Sequence, residues 1–148
     1  VTFTPTPTPI SPPITPQTAD SLTRVLTFTE PRQAVYGVAV NAAGTLIASA
    51  SADYRVRLYD GQSGELLHTM QRHRDIAYTV AFAPDGSVLA SGGRDRTVQF
   101  WDPQTGERIF GTRTSGEVAQ LTFAPDGSRL AGAGFYSATG QWWTPTGA

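Results

Sequence analysis

His73, Ser91 and Asp95 carry the residue types of a hydrolase triad, in which a histidine takes the proton of a serine and an aspartate holds the imidazole ring. Their setting argues against that chemistry. Ser91 stands between Ala90 and Gly92 in a run with strand character, no G-x-S-x-G elbow lifts its oxygen out of a sheet, and no second segment has the form of an oxyanion hole. The two histidines, His68 and His73, lack the clustered carboxylates of a metal set. His68 falls in an outer strand and is expected to face solvent. No glycine-rich loop opens a helix, so Gly92-Gly93 is expected to be a tight strand end and not a phosphate cradle. No catalytic residue, metal or cofactor is assigned.

Composition narrows the classes further. With 148 residues, 39% of them hydrophobic, the chain has the material for one ordinary domain. Its 11 Lys+Arg and 12 Asp+Glu nearly cancel, which leaves no basic field for a phosphate backbone, and nucleic acid is not expected as a partner. No apolar run approaches the ~18 residues of a membrane span, so no membrane insertion is expected of the visible chain. The absence of cysteine excludes a disulfide framework and is silent on compartment. Residues 1–20 form a Pro/Thr-rich linker that holds six of the 11 prolines. Proline fixes φ and lacks a backbone N–H, so this segment is expected to be disordered or an extended spacer of roughly 3 Å per residue. A start at Val1 inside linker-like sequence suggests that the natural chain continues upstream.

Beyond the linker the chain repeats itself. Residues 38–65 (VAVNAAGTLIASASADYRVRLYDGQSGE) overlay residues 80–107 (VAFAPDGSVLASGGRDRTVQFWDPQTGE) at an offset of 42 without a gap, and 11 of the 28 positions are identical. A third, more diverged copy begins at Leu121 and ends in QWWTPTG. Within the middle copy, short alternating runs are bounded by turn residues: strands are expected at 78–82, 88–91, 97–101 and 107–110, and Pro84-Asp85-Gly86 has the chemistry of a hairpin turn.

A repeat of about 42 residues with four short strands, an Asp before the third and Trp-Asp at its end resembles the WD-repeat β-propeller family, in its bacterial form. The matching residues are Asp95, the pair Trp101-Asp102, and His73 where the family's Gly-His pair falls, with Arg72 in place of the Gly. The resemblance implies that His73, Ser91, Asp95 and Trp101 form a hydrogen-bonded structural network. The first copy keeps Ser49 and Asp53 but has Tyr59-Asp60 for Trp-Asp and Pro31 for the His; the third has Tyr136 near the Asp position and Trp143-Thr144 for Trp-Asp.

The resemblance further implies an all-β fold of about three four-stranded antiparallel blades over residues 21–148. Blades are expected at about 30–70, 73–112 and 115–148, with 22–28 as an outer closing strand and only three strands in the last copy. Propellers close with 4–8 blades, so the remaining blades are expected from a longer chain or from another copy. Family members bind other proteins or peptides, and the positions that line their top face are here Tyr36, Ile76, Tyr78 and Arg94, with Ala34 and Ala52 in the first blade. A protein-interaction scaffold is the expected function; the alternative is the non-catalytic sensor propeller of a larger enzyme such as a membrane serine/threonine kinase. The Pro/Thr-rich tether suggests a bacterial surface or periplasmic location.

Overall fold

Turn chemistry sets the meander. In a computed structural model of the chain, the described residues are 15, 33–135 and 141–143, and the first hairpin of each repeat closes on a glycine in the left-handed region, Gly44, Gly86 and Gly127, with φ of 71°, 72° and 72°. The preceding polar residue holds each turn. The Asp85 carboxylate accepts the Ser87 N–H at 3.0 Å and hydroxyl at 2.7 Å, Asp126 does the same for Ser128 at 2.9 and 2.7 Å, and Asn41 accepts the N–H groups of Thr45 and Leu46 at 2.9 and 3.0 Å.

The strands between these turns make three antiparallel sheets, each in simple meander order. The first contains β1 (Val35–Val40), β2 (Leu46–Ser51), β3 (Arg55–Asp60) and β4 (Leu66–Gln71). The second contains β5 (Ala77–Phe82), β6 (Leu89–Gly93), β7 (Thr97–Trp101) and β8 (Arg108–Arg113), and the third has β9 (Gln120–Phe123), β10 (Leu130–Ala133) and β11 (Gln141–Trp143). These are propeller blades, two of four strands and one of three, and the described residues contain no helix long and apolar enough to cross a membrane. Apart from residue 15, the linker at 1–20 lies outside the described residues, as do the strand at 22–28, Pro31, Tyr136 and Thr144.

Side-chain alternation gives each central strand two apolar faces, and the blades stack on both. On one interface Ala48, Ala50, Val56, Leu58 and Met70 of the first blade meet Ala77, Val80, Leu89 and Trp101 of the second. On the other, Ala90 and Val98 meet Val118, Leu121 and Leu130, with Trp143 packed at the edge. Burying each Val or Leu contributes about 1.5–3 kcal/mol relative to exposure, and no blade alone could bury both of its faces. Polar bonds tie the stack as well, since the Leu121 N–H donates to Thr79 Oγ1 at 3.2 Å across the second interface.

Two local expectations need correction. The strand expected to stop at Ser91 continues through Gly92-Gly93, because a Cβ on Gly92 would collide with the Val118 side chain of the next blade: the glycine is there for a close approach between blades. His68 does not simply face solvent. It is half-buried in β4, its Nε2 lies 3.0 Å from the Gln104 carbonyl oxygen, and its ring packs against Gly106 in the turn after β7. An outer strand still has a neighbouring blade beside it, and a period-two pattern read along one strand does not show that neighbour.

Candidate functional site

The bend between β6 and β7 holds a buried polar chain. Asp95 follows the end of β6, and its carboxylate accepts the backbone N–H of Thr97 at 3.1 Å, the Thr97 hydroxyl at 2.8 Å and the backbone N–H of Arg74 at 3.0 Å. His73, carried in by the loop before β5, places Nδ1 at 3.1 and 3.0 Å from the two carboxylate oxygens. Its Nε2 lies 2.8 Å from Ser91 Oγ, which in turn accepts the indole N–H of Trp101 at 2.9 Å. With the Nδ1 proton directed at the carboxylate, every member has a complementary partner: indole to serine oxygen, serine hydroxyl to Nε2, imidazole to Asp95.

This order of Ser, His and Asp is that of a catalytic relay, and burial decides what it can do. Ser91 is 0% exposed and Trp101 2% exposed, so the serine oxygen is sealed under the indole that bonds to it. A substrate carbonyl has no path to it, and the chain can hold the bend but cannot attack a substrate. Burial pushes the Asp95 carboxyl up; the hydrogen bond and charge of His73, with the Arg74 and Thr97 donors, outweigh that and hold it below the usual carboxylate range. Thr97 was not singled out from sequence, although its place two residues after the bend Asp is the usual geometry of an Asx turn. Among the described residues no three His, Cys, Asp or Glu side chains converge as a metal set.

The first blade solves the same bend differently. Asp53 pairs with the guanidinium of Arg57 through two bonds of 3.2 and 2.6 Å, and Arg57, only 5% exposed, occupies the repeat position of Gln99. Burial raises the Asp53 carboxyl, but the Arg57 bond and charge and the Arg55 N–H leave it below its ordinary value. Ser49, the counterpart of Ser91, is left with a buried Oγ that has no partner among the described residues. An unsatisfied buried hydroxyl is a cost, whereas a bonded one is a gain. Ser49→Ala is therefore expected to be neutral or to stabilise by up to about 1 kcal/mol, while Ser91→Ala destabilises by about 2 kcal/mol. Urea denaturation of the two variants checks this, and equal losses would refute the asymmetry.

At the end of the sheets where the blades enter, bulges aim aromatic side chains outward. The β1–β2 register shifts between Val35 and Gly37, the β5–β6 register between Ala77 and Thr79, and the extra residues are Tyr36 and Tyr78. Their rings meet edge to face at 5.4 Å, and Tyr78 meets Phe135 of the third blade at 5.3 Å in the same way. Tyr36 is 54% and Phe135 65% exposed, with Tyr78 half-buried between them. Burial, with the charge of Glu117 adding, keeps the Tyr78 hydroxyl above its ordinary pKa, so it remains a donor. Arg94, exposed beside the row, lies 3.8 Å from both Asp75 and Glu117, contacts too long to tie it down. Ile76 contributes its backbone: its carbonyl accepts the Arg94 N–H at 2.8 Å, as that of Ala34 accepts the Ala52 N–H at 2.9 Å one blade earlier. Phe135 escaped the sequence reading because the third copy aligns too loosely there to show which position it fills.

Comparison with known proteins agrees with the blade architecture. A family model for the WD domain, G-beta repeat, matches residues 22–60 and 64–102, and the two spans end on the pairs Tyr59-Asp60 and Trp101-Asp102. No curated protein matches the chain.

Proposed function

The chain belongs to the WD-repeat family, whose repeats generally mediate protein–protein interaction, and from that membership we propose that it is a non-catalytic module binding a partner protein through the aromatic row Tyr36–Tyr78–Phe135 and the adjacent Arg94. The row itself is the observation that carries this reading. Three rings from three blades form one continuous ridge, and more than half of the surface of the two outer rings faces water, where apolar area is costly unless something covers it. The rings are rigid, so ordering them on binding costs little entropy, and Tyr and Arg are the residue types that most often dominate binding energy. Asp75 and Glu117 leave Arg94 free to reorient toward a partner carboxylate. We place the blades at about 30–70, 73–112 and 115–148, with residues 1–20 as their tether.

A photo-crosslinking amino acid at position 36, expressed in the native cell, is expected to trap a discrete partner that the same probe at the exposed position 67 of β4 does not. The Tyr78→Ala/Arg94→Ala double variant is expected to weaken capture of that partner by more than ~30-fold, as loss of two anchors would. Identical adducts from positions 36 and 67, or full retention by the double variant, would overturn the reading.

A further inference from the structure

A second surface shares no residue with the aromatic row or with Arg94. On the second blade, a cleft of about 590 Å3 is lined by Arg72, Arg74, Arg96, Arg108 and Arg113, with Asp95 as its one acidic residue. All five arginines are exposed, and none has a carboxylate partner among the described residues. The whole chain has only 11 cationic side chains and a net charge of −1, so this concentration does not follow from composition. Asp95, whose carboxyl is held below the usual range and is therefore ionised, cancels one of these five charges and leaves the cleft net positive.

The cleft is also built. Arg108 is anchored by its Nε–H to Gln99 Oε1 at 2.7 Å, Gln99 donates to Thr97 Oγ1 at 3.0 Å, and Thr97 leads into the buried chain of the bend. A Cβ at position 111 would collide with both Gln99 and Arg108, so Gly111 is what lets that guanidinium lie across β8. A guanidinium held in place loses less entropy when it pairs with a carboxylate, and its planar fork suits two-point pairing.

The spread of the charges identifies the ligand. Arg108 and Arg113 stand at the two ends of β8 on the same face, about 14 Å apart at ~3.4 Å per residue along the four steps of β7 that they pair with, because a bulge takes up one residue of β8; Arg72 and Arg74 lie on the entering loop and Arg96 in the bend. One phosphate cannot span that distance. A nucleic-acid strand could, but no aromatic ring lines the cleft to stack on its bases. We propose that the cleft is a second docking surface, which takes an extended Asp/Glu-rich peptide segment of a partner protein and pairs its carboxylates with these five arginines. In an extended peptide, side chains two apart share one face, so alternate acids suffice.

The test is fluorescence anisotropy of the full chain with a labelled peptide of alternating Glu and Ser, about eight residues long so that it exceeds the span of β8. The peptide is expected to bind, more weakly as salt rises, and Arg72→Gln/Arg113→Gln is expected to reduce affinity about tenfold. Arg129→Gln, on the third blade, is expected to leave it unchanged. Arg96→Asn supplies an independent variant whose residue type tolerates the φ of 59° found there, and it should weaken binding in the same direction. Absence of peptide binding, wild-type affinity in the cleft variants, tighter binding of an oligothymidylate of equal charge, or full displacement by inorganic phosphate at equal charge would each overturn the proposal. Tyr78→Ala is expected to bind this peptide normally, so the two surfaces stand or fall separately.

Discussion

Asp95→Ala is expected to lower the free energy of unfolding by about 3 kcal/mol. Its side chain is 8% exposed and receives the His73 ring proton, the Thr97 hydroxyl and the backbone N–H groups of Arg74 and Thr97. Truncation leaves these donors without their acceptor in a space that water reaches poorly, and each orphaned buried donor costs about 1–3 kcal/mol before relaxation recovers part of it. Chemical denaturation at neutral pH measures the loss; a change within about 0.5 kcal/mol would mean that Asp95 does not hold the bend. The pH dependence gives an independent check. Because the folded-state pKa is depressed, the stabilisation is fully present above the unfolded value of about 3.9 and is lost as pH falls through the lower folded value. The margin of the native protein over Asp95→Ala should therefore shrink as pH falls below 4.

Trp101→Ala is expected to cost more, about 4 kcal/mol, because two losses coincide. The indole is 2% exposed and packs into the cluster shared with the first blade, so truncation opens a cavity between two blades. It also removes the N–H that Ser91 accepts. Trp101→Phe separates the two contributions, since a smaller ring fills much of the space without the donor, and about 2 kcal/mol is the expected loss. If Phe and Ala cost the same, the hydrogen bond dominates; if Ala costs under about 1 kcal/mol, the blades do not depend on this side chain for their stacking.

Much of the fold was legible in the residues because its determinants are local. The β5–β8 strands fall within three residues of the runs bounded by Pro84-Asp85-Gly86 and the Pro103–Gly106 turn. The ends were less legible: β6 runs on through two glycines because Val118 of the following blade needs the room, and nothing near Gly92 in the chain says so. His68 was misplaced for the same reason, its partner Gln104 lying 36 residues away.

For the site, the resemblance to the WD-repeat family singled out His73, Ser91, Asp95 and Trp101, and also Tyr36, Ile76, Tyr78 and Arg94. They did not show that Arg57 takes the partner role in the first blade, since Arg57 and Gln99 are chemically unlike and only their shared register in the third strand relates them.

The amino-acid order alone determined that this chain is made of short antiparallel meanders of one repeated design. Turns and strand alternation are settled by residues within a few positions of each other, where no long loop has to close. Stacking of the blades decided the rest: that Ser91 is sealed under Trp101, that Phe135 completes a row begun by Tyr36 and Tyr78, and that arginines from Arg72 to Arg113 share one cleft. Those neighbours are separated by tens of residues, and their closeness depends on how two-faced sheets bury apolar area against each other, which no window of sequence contains.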